Sequence, residues 1–293
     1  MVVDEAFKRL DVYLMEKLGI SRSKVEHLIK EGHVTVNDKV VKPSYRGSIG
    51  DYIEYELIEN DMDVEAENIP LDIVYEDDDV LVVNKPNGMV VHPAPGNMHG
   101  TLVNALMYHM KNLSNINGPL RPGIVHRIDA YTTGLLMVAK NDKAHEILAH
   151  ELEEKLTKRK YIALVWGVIE EDTATIDAPI GRDEKDRKKM AVVAGGKHAV
   201  THIEVLKRFK NATLIECVLE TGRTHQIRVH LNYIGHPIVN DPVYGRRKLI
   251  DESGQCLHAK YLGFTHPTTS KFMEFDSNLP DCFTNILNIF ESE

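Results

Sequence analysis

The sequence predicts an α+β protein: a mixed, largely antiparallel sheet domain preceded by a small helix-helix-hairpin domain. Three observations support this fold class. Residues 7–31 carry two helical stripes, and residues 33–41 follow with two short strand patterns. Residues 59–69 hold few large apolar side chains and many acids. From Ile69 onward strand patterns outnumber helical ones and several are spaced as hairpins, which favours a mixed sheet with packed helices.

The N-terminal domain is expected over residues 1–58. Residues 7–19 carry apolar side chains at helical spacing, and Gly19 supplies a left-handed stop. Ser21 can cap a second helix, which ends at Gly32. The outer face of this second helix carries three basic side chains: Arg22, Lys24 and Lys30.

A hairpin, a linker and a larger domain follow. Residues 33–41 indicate two short strands around an Asn-Asp turn. The acidic residues 59–69 are expected to form a flexible linker, because their charges repel one another. Residues 70–293 then form the larger domain.

The first elements of the larger domain have clear boundaries. Residues 71–86 predict a strand, an acidic turn and a second strand, and Thr101 caps a helix. Residues 134–140 form a buried strand, and Asp142 caps a helix through Leu156. Further strands are expected over 161–169, 201–206 and 212–220, and a helix over 224–235.

The composition leaves the partner open. The net charge of −9 counts against a non-specific nucleic-acid binder. The charges are sorted, however, with basic clusters at 155–160, 182–189 and 246–248, and such a distribution attracts RNA locally. Ordinary solvated surfaces explain the same clusters.

A cytoplasmic location is expected. Cys217, Cys256 and Cys282 are odd in number and form no CxxC pair, which argues against disulfides and a thiolate metal site. No apolar run approaches the roughly 18 residues that a membrane helix needs. The N-terminus turns acidic at once and lacks the layout of a signal peptide.

Asp129 is the first candidate for chemistry. An ionisable cluster, residues 126–129, lies just before the strand 134–140, which is too apolar to be exposed. A loop residue at the mouth of a buried strand can present its side chain to a cleft. Burial raises the pKa of a carboxylate and a nearby arginine lowers it. A turn hydrogen bond ahead of Thr132 explains this aspartate equally well.

Two further segments carry candidate binding residues. Tyr161 opens a strand directly after three basic residues, the combination that a stacked base and its phosphates need. Core packing explains this tyrosine as well. Arg223 follows a turn made by Gly222, so that its guanidinium can pair with a carboxylate from another strand end. An ordinary surface arginine is the alternative.

Together these segments resemble the RluA-type family of pseudouridine synthases over almost everything after Ile69. HRxD alone is a weak match, whereas seven segments in the family's order are specific. The segments are VVNKPNGMVVHP, GIVHRID followed by TTG, KRKYIALVWG, IGRDEKDRKKM, TGRTHQIRVHL, GHPIVNDPVYG and LGFTHP. The N-terminal residues resemble the small RNA-binding domain first described in a ribosomal small-subunit protein, an RluD-like arrangement.

The resemblance implies a role for each matching position. Asp129 is the essential carboxylate that handles the glycosidic bond, and Arg127 enters the RNA where the target nucleotide leaves its stack. Tyr161 packs against the flipped uracil, and Arg223 pairs with Asp129 to hold it ionised and oriented. Many relatives have a charged pair and then TSG after the aspartate, where this chain has Ala130, Tyr131 and then TTG. This departure puts the local RNA contact, and hence the target, in doubt.

The implied function is isomerisation of uridine to pseudouridine in structured RNA. The small N-terminal domain favours ribosomal RNA of the large subunit over tRNA, with Arg22, Lys24 and Lys30 as expected RNA contacts. No cofactor or metal is expected, because the reaction involves neither redox chemistry nor phosphate transfer. Asp129 acts as a nucleophile or as a base on the ribose. The family default is a monomer.

Three rival functions remain. A non-catalytic RNA-binding or ribosome-assembly factor would share the fold, but would not need Asp129, Tyr161 and Arg223 together. A metal hydrolase is suggested by fifteen histidines, yet His198 and His202 flank a predicted strand, where a spacing of four does not give the shared face that a helix would give. A glycoside hydrolase usually needs two carboxylates.

Overall fold

The structure, a computed structural model, describes residues 1–20, 22–57, 64–94, 96–187, 189–245, 247 and 249–292, without the side chains of residues 23, 24 and 27. These residues contain six helices and fourteen strands. They form two compact units, residues 1–62 and 63–293. The predicted cap Ser21 and residues 59–63 of the predicted linker lie outside the described residues.

The first unit is the helix-helix-hairpin module that the sequence predicts. Gly19 ends the first helix with a φ of 65°, and Asn37 and Asp38 have φ values of 49° and 62°, so both turn residues are left-handed as a type I′ hairpin turn requires. The strands form an antiparallel sheet in the order β2-β1-β3. Its elements are α1 Leu10–Leu18, α2 Arg22–Lys30, β1 Val34–Val36, β2 Lys39–Val40 and β3 Ile53–Tyr55.

The second unit is built on one large sheet with helices on both faces. Its first elements are β4 Ile73–Glu76, β5 Val80–Lys85, α3 Leu102–His109, β6 Thr133–Ala139, α4 Asp142–Glu153 and β7 Lys158–Trp166. The middle elements are β8 Thr173–Asp177, β9 Ile180–Arg182, β10 Met190–Val192, β11 Val200–Arg208, β12 Ala212–Leu219 and α5 Gln226–Tyr233. The last are β13 Leu257–Thr265, β14 Phe272–Asp276 and α6 Asp281–Glu291.

The strands of the large sheet run in the order β4-β5-β6-β13-β7-β12-β11-β8, and β14 pairs with β13. Within the described residues only β6 and β13 pair in parallel, and every other neighbouring pair is antiparallel. Strands β9 and β10 form a separate two-stranded sheet. The predicted mixed, largely antiparallel α+β fold is therefore confirmed.

Strand β6 is buried along its whole length because core residues cover both of its faces. Leu136 and Val138 belong to the larger apolar cluster, which also contains residues of α3, α5 and α6. Leu135 and Met137 belong to a second cluster, together with residues of α4. A strand covered on both faces reads as a continuous apolar run, as the sequence of β6 does.

Two predicted helix caps have different outcomes. Thr101 caps α3 in a capping box with Asn104, as predicted. The cap of α4 is Asn141 rather than Asp142, because the side chain of Asn141 accepts the N–H of Ala144. The carboxylate of Asp142 instead accepts hydrogen bonds from the hydroxyl of Ser114 and the N–H of Asn115. Helix α4 ends at Glu153, before the predicted Leu156.

Gly134 brings the start of β6 close to β13. Its φ is 109°, and a Cβ there would lie 2.3 Å from the carbonyl oxygen of Ala259. Both the dihedral angle and the close approach exclude a side chain. The loop that ends at Gly134 carries residues 126–129, so this contact fixes where the loop leaves the sheet.

Candidate active site

A cavity of about 410 Å³ opens in the second unit, where the 126–129 loop meets β7 and the start of α5. Its wall combines charged, aromatic and apolar side chains, including the predicted catalytic Asp129 and the three predicted substrate-binding residues, Arg127, Tyr161 and Arg223. The residues of the wall that bear on the chemistry are His126, Arg127, Asp129, Arg159, Tyr161, Arg223, His225 and Arg228.

Asp129 is paired with Arg228. Nη1 of Arg228 donates to Oδ2 of Asp129 at 2.9 Å, and the aspartate side chain keeps 18% of its surface exposed to the cavity. The other side of the guanidinium is held by Asp241, at 2.7 Å from Nε to Oδ2 and 2.9 Å from Nη2 to Oδ1. One arginine therefore joins an accessible carboxylate to a fully buried one.

The Arg228–Asp241 pair is charged and almost completely buried, with side-chain exposures of 5% and 0%. Burial acts to lower the pKa of Arg228, but Asp241 and then Asp129 raise it well above its ordinary value. Burial acts to raise the pKa of Asp241, but the hydrogen bonds from Arg228 and two backbone N–H groups lower it. The pair is therefore a fixed element of the site.

The predicted pairing of Arg223 with Asp129 is wrong. Nε of Arg223 donates instead to the carbonyl oxygen of His198 at 3.0 Å. Its exposed side chain lies on the wall of the same cavity, but the partner of Asp129 is Arg228, five residues further along and inside helix α5.

The turn before α5 explains this difference. The side-chain oxygen of Gln226 accepts the N–H of Arg223 at 2.9 Å and the hydroxyl of Thr221 at 2.7 Å, which closes the turn. His225 follows with a left-handed φ of 57°, so α5 begins only at Gln226. Arg223 thus remains in the turn, whereas Arg228 lies in the first turns of the helix beneath Asp129.

His225 lies on the other side of Asp129. Its Nε2 is 3.8 Å from Oδ1 of the carboxylate, and its Nδ1 is 2.8 Å from the hydroxyl oxygen of Tyr244. Burial lowers the pKa of His225, although the charge of Asp129 opposes this effect. A neutral imidazole therefore faces the carboxylate at neutral pH.

Lys85 binds the backbone of the loop that carries Asp129. Its side chain is 1% exposed, and its ammonium group donates to the carbonyl oxygens of Pro86, Met89 and Ala130 at 2.8–2.9 Å. Burial lowers the pKa of Lys85 to about 7, and the nearby charge of Asp129 opposes this shift. The residue that follows Asp129 is therefore attached to the end of β5.

The hydrogen-bond partner of Arg127 is His92 rather than Asp129. Its residue surface is exposed, and its Nη1 lies 3.3 Å from Nε2 of His92. Burial, together with the charges of Arg127 and Arg121, lowers the pKa of His92 to about 4, so this histidine accepts the hydrogen bond as a neutral ring. Arg127 thus has an accessible guanidinium beside the cavity.

Tyr161 is buried in the wall of the cavity. It lies on β7 opposite Ala259 of β13 and Cys217 of β12, and it is 6% exposed. Burial raises the pKa of its hydroxyl. The ring is thus neutral and rigidly placed, and it belongs to the apolar core as well as to the cavity.

The basic residues of α2 have different environments. Arg22 donates from Nε and Nη2 to Oδ2 of the buried Asp11, at 3.0 and 2.8 Å, so its charge is already compensated. Lys30 is 64% exposed and lies 3.9 Å from Glu26. The side chain of Lys24 lies outside the described residues.

In the described parts of the chain, no group of three or more His, Cys, Asp or Glu side chains is arranged to hold a metal ion. His198 lies 3.3 Å from Asp177, and His202 bonds to Glu220 and Thr175. None of the helices so described is long and apolar enough to cross a membrane.

Sequence reasoning missed Arg228, Asp241, Lys85 and His225. A signal existed for the first two: a charged side chain within an otherwise apolar helical stripe needs a buried counter-charge, and Asp241 follows in a turn thirteen residues later. No local pattern distinguishes Lys85, because a lysine at the end of a strand is usually exposed.

Comparison with known proteins gives a consistent result. The model of a family described as RNA pseudouridylate synthase matches residues 79–233, and that of the S4 domain matches residues 8–53. The Bacillus subtilis protein named uncharacterized RNA pseudouridine synthase YlyB is 55% identical over 286 residues, which cover 97% of this chain and 94% of that protein.

Two more similarities extend this result. Ribosomal large subunit pseudouridine synthase D of Pseudomonas aeruginosa is 44% identical over 288 residues, which cover 93% of this chain and 88% of that protein. The solved structure of human RNA pseudouridylate synthase domain containing 1 has a TM-score of 0.59 and 26% identity, and the match covers 76% of this chain and 96% of that one.

Proposed function

Because this chain belongs to the RNA pseudouridylate synthase family, we propose that it isomerises uridine in large-subunit ribosomal RNA with Asp129 as its essential carboxylate. The reaction breaks the bond from the ribose to N1 of uracil, turns the base and joins it again through C5. The observation that carries the proposal is the pair of Asp129 and Arg228 at the cavity, 2.9 Å apart and backed by Asp241.

The pair suits both routes open to the carboxylate. As a nucleophile Asp129 attacks the ribose, and as a base it takes a proton from it. Either role needs an ionised oxygen facing the substrate. Arg228 binds Oδ2, while Oδ1 has no contact shorter than 3.8 Å to an ionisable partner among the described residues. Oδ1 is therefore the oxygen that we assign to the reaction.

Arg127 and Tyr161 have the placement that base flipping needs. Taking a base out of its stack costs a few kcal/mol, and stacking on an aromatic ring returns about 1–3 kcal/mol. Tyr161 presents a rigid ring on the cavity wall, and Arg127 has an exposed guanidinium at its edge. We assign Tyr161 to the flipped uracil and Arg127 to the gap that the base leaves.

Ribosomal RNA as the target is supported by the relatives and by the first unit. Proteins named ribosomal large subunit pseudouridine synthase D are 44–46% identical to this chain over most of its length. Residues 8–53 match an S4 domain, and we assign RNA affinity rather than chemistry to this unit. Of the two described candidate contacts Lys30 is the more accessible, since Arg22 is tied to Asp11. A cytoplasmic location fits this target.

One experiment tests activity, target and residue together. Pseudouridine is mapped across total RNA in cells lacking the protein, and in the same cells given back the native chain or the Asp129→Asn variant. Asn keeps the shape and removes the charge. We expect sites in large-subunit ribosomal RNA to disappear and to return only with the native chain.

The other outcomes are equally informative. If the pseudouridine sites that disappear lay only in tRNA, the proposed ribosomal target would be wrong, but the proposed activity would be supported. If no site changed, or if the Asn variant restored every site, the catalytic proposal would fail in favour of a non-catalytic RNA-binding factor.

A further inference from the structure

Arg159, on the wall of the active-site cavity, is a buried arginine without a partner among the residues that the structure describes. It lies on β7 and is 8% exposed, and its Nε–H is shielded from solvent and has no acceptor among these residues. No hydrogen bond or ion pair joins its guanidinium to any residue that the structure describes. Buried guanidinium groups are normally paired, because an uncompensated buried charge is strongly unfavourable. The arrangement is that of a site completed by a ligand.

The guanidinium of Arg159 faces the cavity. Arg159 and Tyr161 are two residues apart on a strand, so their side chains lie on the same face, and both line the cavity. Nη1 of Arg159 lies 3.1 Å from the place where a Cβ of Gly222 would be. The glycine therefore leaves room for the guanidinium beneath the turn that precedes α5.

A second unpaired donor lies on the same wall. Nε2 of His126 accepts the N–H of Met137 at 3.1 Å, so the hydrogen of the neutral ring is on Nδ1. Nδ1 is buried and has no partner in the described part of the chain. Burial, together with the charge of Arg159, lowers the pKa of His126 to about 3, so the ring stays neutral. One N–H of the ring is therefore left without an acceptor among the described residues.

The family's reaction creates the charge that such donors complement. When the bond between C1′ and N1 breaks, both electrons stay with uracil, and the negative charge spreads over N1, O2 and O4. C5 then bonds to C1′ and loses its proton, while N1 gains one, so that the product is an isomer. This holds whether Asp129 attacks the ribose or removes a ribose proton. Donors placed where charge develops are usually the largest contribution to catalysis.

We propose that Arg159 and the Nδ1–H of His126 bind a carbonyl oxygen of the flipped uracil and stabilise the negative charge of the ring while the glycosidic bond is broken. This inference rests on the proposed function. Arg159 exchanges no proton in the reaction. A backbone phosphate is the other anion that RNA offers. The base is favoured because Arg159 is buried beside Tyr161, on the face that we assign to uracil.

The test uses the full chain and a fragment of the RNA identified by mapping. Arg159→Met removes the charge and keeps an apolar side chain of similar reach, whereas Arg159→Lys keeps the charge. Arg208→Gln is the control, because Arg208 is an arginine of β11 that bonds to Ile169 and Asp172 away from the cavity. Single-turnover rate, RNA affinity and melting temperature are measured for each.

For Arg159→Met we expect a loss of about 100- to 1000-fold in single-turnover rate, the usual effect of removing one such donor. RNA affinity should stay within about threefold of the native value. The melting temperature should be unchanged or higher, because an unpaired buried charge is removed. Arg159→Lys should recover part of the rate, and Arg208→Gln should match the native chain in rate and affinity.

A second substrate separates charge stabilisation from a merely structural role. The same RNA is prepared with 5-fluorouridine at the target position, because fluorine stabilises the anionic ring without help from the protein. Cleavage of the original glycosidic bond is followed. The rate defect of Arg159→Met should shrink by about tenfold or more on this RNA.

Three results would overturn the inference. The first is a native rate for Arg159→Met, and the second is an equal defect on both RNAs. The third is a loss of affinity with a salt slope reduced by about one, which would assign Arg159 to a phosphate instead. If the native chain itself formed no pseudouridine, the proposed function would have failed, which is a distinguishable outcome.

Discussion

Asp241 holds Arg228 by two hydrogen bonds, at 2.7 Å to Nε and 2.9 Å to Nη2, and leaves Nη1 free to bind Asp129. Oδ1 of Asp241 also accepts the backbone N–H groups of Val243 and Tyr244, at 2.8 and 2.9 Å. The direction of the guanidinium is thus set by buried groups before any substrate arrives. Asp129 is thus oriented through Arg228 by a residue whose side chain is fully buried.

Replacing Asp241 by Asn should cost both stability and rate. Removing one charge of a buried pair typically destabilises by about 3–5 kcal/mol, and among the described residues Arg228 would keep only the partly exposed Asp129 as its counter-charge. Displacing Arg228 should lower kcat by about 100-fold, the effect of misplacing a catalytic group by about 1 Å, with little change in KM. Chemical denaturation and steady-state kinetics on the target RNA measure the two effects. An unchanged kcat would show that Asp129 does not depend on this anchor.

Arg228 and Arg223 form a matched pair for a second prediction. Arg228→Met should lower the single-turnover rate by at least about 100-fold, because it removes the group that positions Asp129. Arg223→Met should leave that rate near native at saturating RNA and reduce the salt slope of binding by at most about one. A larger rate defect for Arg223→Met than for Arg228→Met would contradict the pairing of Asp129 with Arg228.

Lys85 should give the protein a measurable dependence of stability on pH. Its pKa is about 7 in the folded chain, below its ordinary value of 10.5, so between these values the unfolded chain binds more protons. Stability therefore rises with pH through this window, by at most about 1.4 kcal/mol per pH unit from this group. Relative to Lys85→Met, the native chain should gain unfolding free energy from pH 7 to 10. If the plots of unfolding free energy against pH ran parallel for the two chains, a lowered pKa of Lys85 would be excluded.

Gly134 should tolerate no side chain. Gly134→Ala combines a left-handed backbone with a Cβ 2.3 Å from the carbonyl oxygen of Ala259, and it should destabilise by at least about 2 kcal/mol. Gly118→Ala is the control, because Gly118 has a φ of 79° but nothing within 4 Å of its Cβ position. It should cost about 1 kcal/mol. Equal losses in urea unfolding would show that the close contact has no effect.

Local patterns predicted most of the fold for physical reasons. Gly19 and the Asn37-Asp38 turn are recognisable because few residues adopt left-handed dihedral angles. Strand β6 is recognisable because burial on both faces gives a continuous apolar run. The sequence pattern places the cap of α4 one residue late, because Asn141 and Asp142 both favour that position and only the fold selects between them.

The partner of Asp129 could not be predicted in the same way. The apolar helical stripe around Arg228 indicates a buried counter-charge but not which one, and the choice between Arg223 and Arg228 depends on where α5 begins. That boundary is set by the side chain of Gln226, whose hydrogen bonds reach Val200 and Thr201 on β11. Such long-range contacts leave no local pattern. The proposed role of Arg159 could not be predicted from the sequence for the same reason, because it depends on the lack of a partner among the described residues around it.

Strand β13 is synthesised after both of its neighbours in the sheet. It lies between β6 and β7, yet it begins at Leu257, whereas β7 ends at Trp166. At about 5–20 residues per second, roughly 5–20 s pass on the ribosome before this gap can be filled. Until then β6 and β7 have open edges that invite pairing with other chains, and Tyr161 has no fixed distance from Asp129. A nascent chain that lacks β13 is therefore expected to be prone to aggregation, and its active-site cavity lacks the wall residue Leu257.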